Sequence, residues 1–408
     1  MPYTIAGIDI HKKVLMAVVT DVTWEEWEFE SRRFGSTASE RQHLVAWLRE
    51  RGVQEIVMES TAQYWKPVWL DVERHFGKLH LAQAHSNRAP KGRKQDFADA
   101  QRLTRRLIAG ELVLSFVPDA EQRGWRTMTR GKLPLVRDRV RLQNQLEALL
   151  EEMRIQLSSV ISELLGLSGR RILWALAEGE SDPVKLAELG DWRLKCSKEE
   201  LADALHGQWQ PLHGQMLQLF LQRLELLDRQ IEQLEQMTAT AMQQHERAVI
   251  RLAEVPGFGP HSAQQIIAEV GPDARAFPSA GQFASWIGCC PGTQESAEEN
   301  YSSRSPKGNR FARRILTEAA QAAIQKKGSH FQAVFRRCIL RLGYNGAIWV
   351  VAHRLSRLVW KILHDGVHYI ERGQESSPKA KRQRAHRMIR ALRKMGYNVL
   401  ITPPPASA

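Results

Sequence analysis

Cysteine is scarce: four in 408 residues (Cys196, Cys289, Cys290, Cys338), with no C-x-x-C pair and no histidine at metal-ligand spacing. That excludes a disulfide framework or a zinc-stapled scaffold and implies a reduced, cytoplasmic setting. Long apolar runs are missing too. No window reaches the roughly 18 apolar residues of a spanning helix, so no membrane partner is expected. The opening Met1-Pro2-Tyr3-Thr4 leads straight into a strand-like run containing Asp9, which is not a secretory signal pattern. Acid is the scarcer charge: 58 Lys and Arg face 45 Asp and Glu, leaving +13 and a pI near 9.8. A surplus of that size points to a polyanionic partner. With 43% apolar and 25% charged residues the chain has the composition of a folded protein, and 408 residues suit two or three domains.

The surplus has addresses. Residues 376–396 hold Lys379, Lys381, Arg382, Arg384, Arg387, Arg390, Arg393 and Lys394 without one acid. This reads as a solvated basic tail or as a nucleic-acid contact. A second group (Arg88, Lys91, Arg93, Lys94, Arg102, Arg105, Arg106) and a third over 304–314 are also basic.

Residues 3–9 and 14–21 are short, apolar and β-branched, so they read as a hairpin, with a weaker third strand over Trp27–Phe34. A helix over 39–51, a strand over Gln54–Glu59, a helix over Pro67–His75, a strand over Leu79–Ala82 and a helix over 96–109 follow. This order predicts an α/β domain over 1–115, a hairpin-rich sheet continuing into parallel strands. Residues 116–249 read as a long-helix region. Apolar positions 217, 220, 221, 224, 227, 231 and 234 fit a coiled-coil-like seam, or a helix packed within the chain. The stretch between the long helices, 166–214, is rich in Gly and Pro and reads as a broken insert. Residues 250–370 read as a mostly helical domain with helices over 277–290, 310–325 and 345–364, and 371–408 as the basic tail.

Three motifs carry chemistry. Asp9 ends the first strand and Glu59 a later one, while Asp96 and Asp99 lie at i and i+3 where a helix begins. Four acids drawn to one sheet edge repel unless a cation sits among them, and hard oxygen ligands suit Mg²⁺ or Mn²⁺. Two such ions can clamp the attacking and leaving oxygens of a phosphodiester. The second motif, Val255-Pro-Gly257-Phe-Gly259-Pro260, separates two helical patterns in helix-hairpin-helix fashion, with glycines that let amides approach a DNA phosphate. The third is a polar loop from Cys290 running into a basic helix. Arg304, Lys307, Arg310, Arg313 and Arg314 suit phosphate contacts, and Ser296, Ser302, Ser303 and Ser305 are all candidate nucleophiles.

Taken in order, Gly7-Ile-Asp9-Ile-His11, Met58-Glu59-Ser-Thr, Lys94-Gln-Asp96-Phe-Ala-Asp99-Ala, the Val255–Pro260 loop, Cys290-Pro-Gly-Thr-Gln-Glu-Ser296 and Pro306-Lys-Gly-Asn309-Arg resemble the DEDD transposases of a large bacterial insertion-sequence family, relatives of pilin-gene invertases. The resemblance runs from about residue 3 to 325. It implies an N-terminal RuvC-like (RNase H) domain whose acids are Asp9, Glu59, Asp96 and Asp99, and a C-terminal domain whose serine, here Ser296, bonds covalently to a DNA phosphate. It further implies a structured bridge RNA pairing with target and donor DNA, and Asn309 among the nucleic-acid contacts. Where the family has Gly-Lys after its serine, this chain has Glu298-Glu299. The expected activity is cutting and rejoining of the element's DNA by a homo-oligomer in the bacterial cytoplasm. Two other readings stand beside it: a metal-only nuclease or junction resolvase, and a non-catalytic nucleic-acid-binding relic.

Overall fold

Short apolar runs rich in Ile and Val build the central strands of the first sheet. A computed structural model describes the chain except residues 1–2, 24–26, 60–61, 85–95, 293, 297–298, 303–304 and most of 372–408. Strands β1 (Thr4–Ile10), β2 (Val14–Asp21) and β3 (Glu30–Gly35) pair antiparallel, and β4 (Glu55–Glu59) and β5 (Lys78–Ala82) join them in parallel, in the order β3-β2-β1-β4-β5. Even-numbered β1 residues (Ala6, Ile8, Ile10) face the main core with Leu44, Trp47 and Leu48 of helix α1 (Ala38–Glu50) and Val68 and Val72 of α2 (Trp65–Val72). Thr37 caps α1 by accepting from the Glu40 amide. The odd-numbered side of β1 faces α3 (Asp96–Ile108).

The approach of α3 to β1 depends on Gly7. A Cβ there would lie 2.2 Å from Thr104 Oγ1 and 2.5 Å from the Ala100 carbonyl oxygen, so only glycine lets the helix backbone come this close. Val57, Ala82 and Leu103 fill the small core on the same side.

The chain divides into two units, Met1–Pro118 and Asp119–Ala408. The second opens with α4 (Ala120–Glu152), capped by Asp119, whose carboxylate accepts from the Gln122 amide at 2.8 Å. The sequence pattern places a helix over 136–165, but the helix starts sixteen residues earlier and stops at Glu152. Pro134 sits inside it without ending it.

The segment 166–214, expected as a broken insert, is helical in pieces: after α5 (Leu157–Val160) come α6 (Leu167–Glu178), α7 (Pro183–Glu188) and α8 (Lys198–Ala204), and its last four residues already belong to the next long helix. Its glycines cap and pack these short helices rather than loosen them. Gly179, for one, ends α6 with φ +101°.

Helix α9 (Pro211–Ala241) uses its apolar repeat within the chain. Leu217, Leu221, Leu224 and Leu227 are buried with Leu142, Leu146 and Leu150 of α4 and Ile172, Leu173 and Leu176 of α6. Asp228 ties the three helices together, accepting from Arg139 at 2.7 Å and from Arg170. On the opposite face Leu212, Leu219 and Leu226, seven residues apart, stay exposed.

The remaining core gathers α10 (Glu246–Ala253), α11 (Pro260–Val270), α12 (Ala280–Ile287), α13 (Arg310–Ala323) and α14 (His330–Asp365) around Ile267, Phe283, Leu316 and Leu355. Between α12 and α13 a short hairpin forms from β6 (Gln294–Ser296) and β7 (Glu299–Ser302). The last helix is longer than the sequence pattern suggests. Ser329 caps it at the front, and Gly343 (φ +67°) breaks it in the middle.

Candidate functional site

The acids of the first unit are brought together by strand register. Ile8 pairs with Met58 across the parallel β1–β4 ladder, so Asp9 and Glu59 come next in line on neighbouring strands. Both share the odd-numbered parity of Gly7 and Val57, which face α3. Helix α3, seated by Gly7, carries Asp99 one residue before Ala100, the residue that meets β1. Asp96 opens the same helix one turn earlier, and its side chain lies outside the described residues.

Asp9 is 5% exposed. Burial pushes its carboxyl above the usual range; His11 pulls it down, and the neighbouring Asp99 pushes it up again. His11 Nε2 lies 3.0 Å from Asp9 Oδ2, and Arg102 Nη1 donates to Asp99 Oδ1 at 2.6 Å, fixing that carboxylate's direction. A buried carboxylate with a like-charged neighbour is stabilised by any cation that enters, and all-oxygen donors fit Mg²⁺ or Mn²⁺. Among the described residues no group of three or more His, Cys, Asp or Glu closes to metal-ligand geometry, and the Asp96 side chain is not among them.

In the second unit Ser296 ends β6, where it pairs with Glu299 across the hairpin, and Ser302 pairs with Gln294. Ser303 and Arg304 lie outside the described residues, as do Ala297 and Glu298. What is described is the base of the hairpin, and it is held from three sides. Trp349 Nε1 of α14 donates to Ser305 Oγ at 2.6 Å, and His353 Nδ1 donates to the Cys289 carbonyl at 2.5 Å. The Asn309 amide donates to the Trp286 carbonyl at 3.2 Å. Gly288 (φ +80°) and Gly308 pack backbone to backbone, since a Cβ on Gly308 would sit 2.2 Å from the Ile287 carbonyl.

Beneath this base lies a network that sequence reasoning missed. Glu269, 1% exposed near the end of α11, takes two bonds from Arg130 (2.8 and 2.7 Å) and one from Asn309 Nδ2 at 2.7 Å. Arg126 donates to the Ala268 carbonyl at 3.1 Å and to the Glu269 carbonyl. Burial draws the Arg126 guanidinium down to about 10, with Glu269 opposing and Arg130 adding to the effect. Asn309 Oδ1 accepts from the amides of Phe311 and Ala312, so the residue caps α13 as well as binding Glu269. The signal was present: a lone Glu inside the apolar run Ile266-Ile267-Ala268-Glu269-Val270 marks a buried charge that needs partners.

The expected phosphate contacts divide by exposure. Lys307 and Arg310 are exposed. Arg313 lies over the Trp349 ring at 4.8 Å and donates to the Pro306 carbonyl at 2.9 Å. Arg314 donates to Glu318 and to Gln265. Gly257 has φ +92°, and a Cβ there would meet the Ala319 carbonyl at 2.0 Å, so its glycine seats the turn on α13. Gly259 has open space where a Cβ would go and starts α11, its amide donating to Ser262 Oγ at 2.8 Å. Residues 88–94 and more than half of the basic tail lie outside the described residues; Arg382, Arg390 and Arg393 of the tail are described and exposed.

Two family models match the chain. One, for DEDD transposases of the IS110 type, covers residues 6–155, and one described as Transposase IS116/IS110/IS902 family covers 250–336. Over 282 residues the chain is 26% identical to a "Probable family 20 transposase" of Pseudomonas aeruginosa, spanning 67% of this chain and 73% of that protein. Over 124 residues it is 30% identical to a "Putative transposase y4pF/y4sB" of Sinorhizobium fredii, spanning 29% of this chain. That second match takes in 32% of the relative's length.

Proposed function

The chain belongs to the DEDD transposases of the IS110 family, and from that premise we propose that it cuts and rejoins the DNA of its own insertion sequence through a covalent phosphoserine intermediate. The observation that carries the DNA-cutting part of this reading is the buried Asp9 next to Asp99, with Glu59 next in line on the adjoining strand; the serine step rests on the family resemblance of the segment that ends at Ser296. The strand order β3-β2-β1-β4-β5, with its first three strands antiparallel, supports a RuvC-like (RNase H) fold for the first unit.

In this reading Asp9, Glu59, Asp96 and Asp99 would hold Mg²⁺ or Mn²⁺, which would supply charge neutralisation at a phosphodiester. His11 orients Asp9, and Arg102 orients Asp99. The Ser296 hydroxyl gives up its proton as its oxygen bonds to phosphorus, and a deoxyribose oxygen leaves with the bonding pair and takes up a proton. A second DNA hydroxyl then attacks the phosphoserine and releases the serine. Lys307 and Arg310 hold the DNA backbone beside the hairpin, while Arg313 and Arg314 add charge from less exposed positions. A structured bridge RNA selects target and donor. The exposed Leu212, Leu219 and Leu226 offer a seam for a second copy, since strand exchange requires at least two active sites. No helix is long and apolar enough to cross a membrane among the described residues, and the proposed site of action is the cytoplasm.

The Glu298-Glu299 pair beside Ser296 favours a second reading, in which the acids cut alone and the serine is idle. Ser296→Ala separates the two. With element-end DNA and Mg²⁺, the covalent mechanism predicts loss of both the protein–DNA adduct and strand exchange. Persistence of strand exchange in that variant, abolished only by Asp9→Asn, would overturn the serine step.

A further inference from the structure

Where the family match ends at residue 336, and mostly beyond it, the structure holds a groove with no assigned role. After Gly366 the chain reverses and lies along the start of α14. The Tyr369 amide donates to Glu254 at 3.0 Å, the Tyr369 ring stacks on Phe331, and the Glu371 carboxylate accepts from the His330 amide at 3.0 Å. Between this strap and the helix opens a cavity of about 600 Å³.

The chemistry of its walls is mixed in a particular way. Arg354, Arg357 and Lys361 line it from one face of α14, at i, i+3 and i+7, and all three are exposed. Facing them are Val367, Tyr369 and Ile370. The carboxylates at the rim are occupied: Glu254 by His368 and the Tyr369 amide, Glu371 by the His330 amide and the Tyr369 hydroxyl. With those groups engaged, the groove presents cations on one side and apolar surface on the other. A double helix offers a protein backbone only phosphates outside its grooves, whereas an unpaired strand offers phosphates and bare base faces together. In the sequence the strap is followed by residues 376–396, with eight basic residues and no acid.

We propose that this groove binds an unpaired DNA strand, its phosphates on Arg354, Arg357 and Lys361 and a base against Val367, Tyr369 and Ile370. The inference rests on the transposase reading only for the identity of the strand: cutting and rejoining leave DNA transiently unpaired. The contacts are charge and stacking, so the groove holds a strand without reading its sequence.

Fluorescence anisotropy with the full chain tests this, using oligothymidylate of about twenty nucleotides, the same length of oligouridylate, and duplex DNA. Arg357→Glu/Lys361→Glu is expected to weaken oligothymidylate binding by about tenfold or more while changing duplex binding by less than about threefold. Arg223→Glu/Arg247→Glu, an equal charge change at exposed positions on α9 and α10, controls for net charge and is expected to stay within about threefold. Thermal unfolding confirms that each variant folds, and Ile370→Ser, which leaves the charge intact, is expected to weaken oligothymidylate binding as well. An unchanged affinity in the groove variants, an equal loss in the control, or an equal loss for duplex DNA overturns the proposal. Oligouridylate binding more than about tenfold tighter than oligothymidylate also overturns it, making RNA the occupant. If groove binding holds while wild-type protein yields no covalent adduct, the groove stands and the proposed reaction falls.

Discussion

Gly7→Ala is the most informative single change, because it moves the acids proposed for catalysis without touching one of them. The new Cβ would lie 2.2 Å from Thr104 Oγ1 and 2.5 Å from the Ala100 carbonyl oxygen. Ordinary contact requires about 3.4 Å, so helix α3 must retreat from β1 by roughly 1 Å. Overpacking of this kind costs about 1–3 kcal/mol of stability in the first unit. The larger effect is on chemistry. Asp96 and Asp99 ride on α3 while Asp9 and Glu59 stay on the sheet, and a displacement of about 1 Å at a reacting centre lowers rate on the order of a hundredfold. The assay pairs thermal unfolding with Mg²⁺-dependent cleavage of element-end DNA. Thr104→Ala added to Gly7→Ala supplies the decisive arm. It removes the hydroxyl at 2.2 Å but leaves the backbone oxygen at 2.5 Å, so the double variant should remain impaired. Cleavage within about twofold of wild type in folded Gly7→Ala protein would refute the idea that α3 seating sets the acid geometry.

Three further outcomes follow from the second unit. Glu269→Gln leaves Arg130 and Arg126 without their buried counter-charge and should lower stability in chemical denaturation by about 3 kcal/mol, and a change under about 1 kcal/mol would refute the network's structural role. Asn309→Ala removes the cap of α13 and one bond to Glu269, for a loss of about 1–2 kcal/mol, while Asn309→Asp should retain the cap but repel Glu269. Asp228 titrates below the usual carboxylate range: burial opposes this, but the hydrogen bonds and charges of Arg170 and Arg139 outweigh it. Because its folded pKa is depressed, the stability it contributes is present above the ordinary Asp value and lost as pH falls through the folded one. Asp228→Asn should therefore cost about 1 kcal/mol at neutral pH and flatten the acid limb of the unfolding curve below about pH 4.

The first unit was legible because its signals are local. Short apolar, β-branched strands, an acid at the end of two of them and a helix beginning at Asp96 are each written in adjacent residues, and β1, β2 and β4 came out within a residue or two of expectation. The misreadings share a different cause. Over 166–214 the Gly and Pro residues suggest chain breaks, yet Gly166, Gly179 and Pro183 start or end short helices whose apolar faces join the α4–α9 core. The heptad of α9 announces a partner helix without saying whose. Here α4 and α6 of the same chain supply it for Leu217, Leu221 and Leu224, and only the opposite stripe stays exposed for another molecule.

The same distinction explains which part of the second site stayed hidden. Arg313, Arg314 and Asn309 look alike on the page as polar residues on a basic helix, and all three suit a phosphate. Their partners are far away in sequence: Trp349 lies under Arg313, Gln265 beside Arg314 and Glu269 against Asn309. A side chain already bonded inside the protein loses those bonds if it turns to a ligand, whereas an exposed Lys307 gives up only water and an exposed Arg310 only its contact with the neighbouring Phe311 ring. The hairpin's DNA contacts should therefore weight unequally. Charge reversal at Lys307 should reduce DNA affinity and its salt dependence while leaving unfolding unchanged, and reversal at Arg313 should lower stability first, through the lost ring and Pro306 contacts. If Arg313→Glu weakens DNA binding tenfold in a protein that unfolds at the wild-type temperature, the division between framework and contact residues drawn from those bonds is wrong.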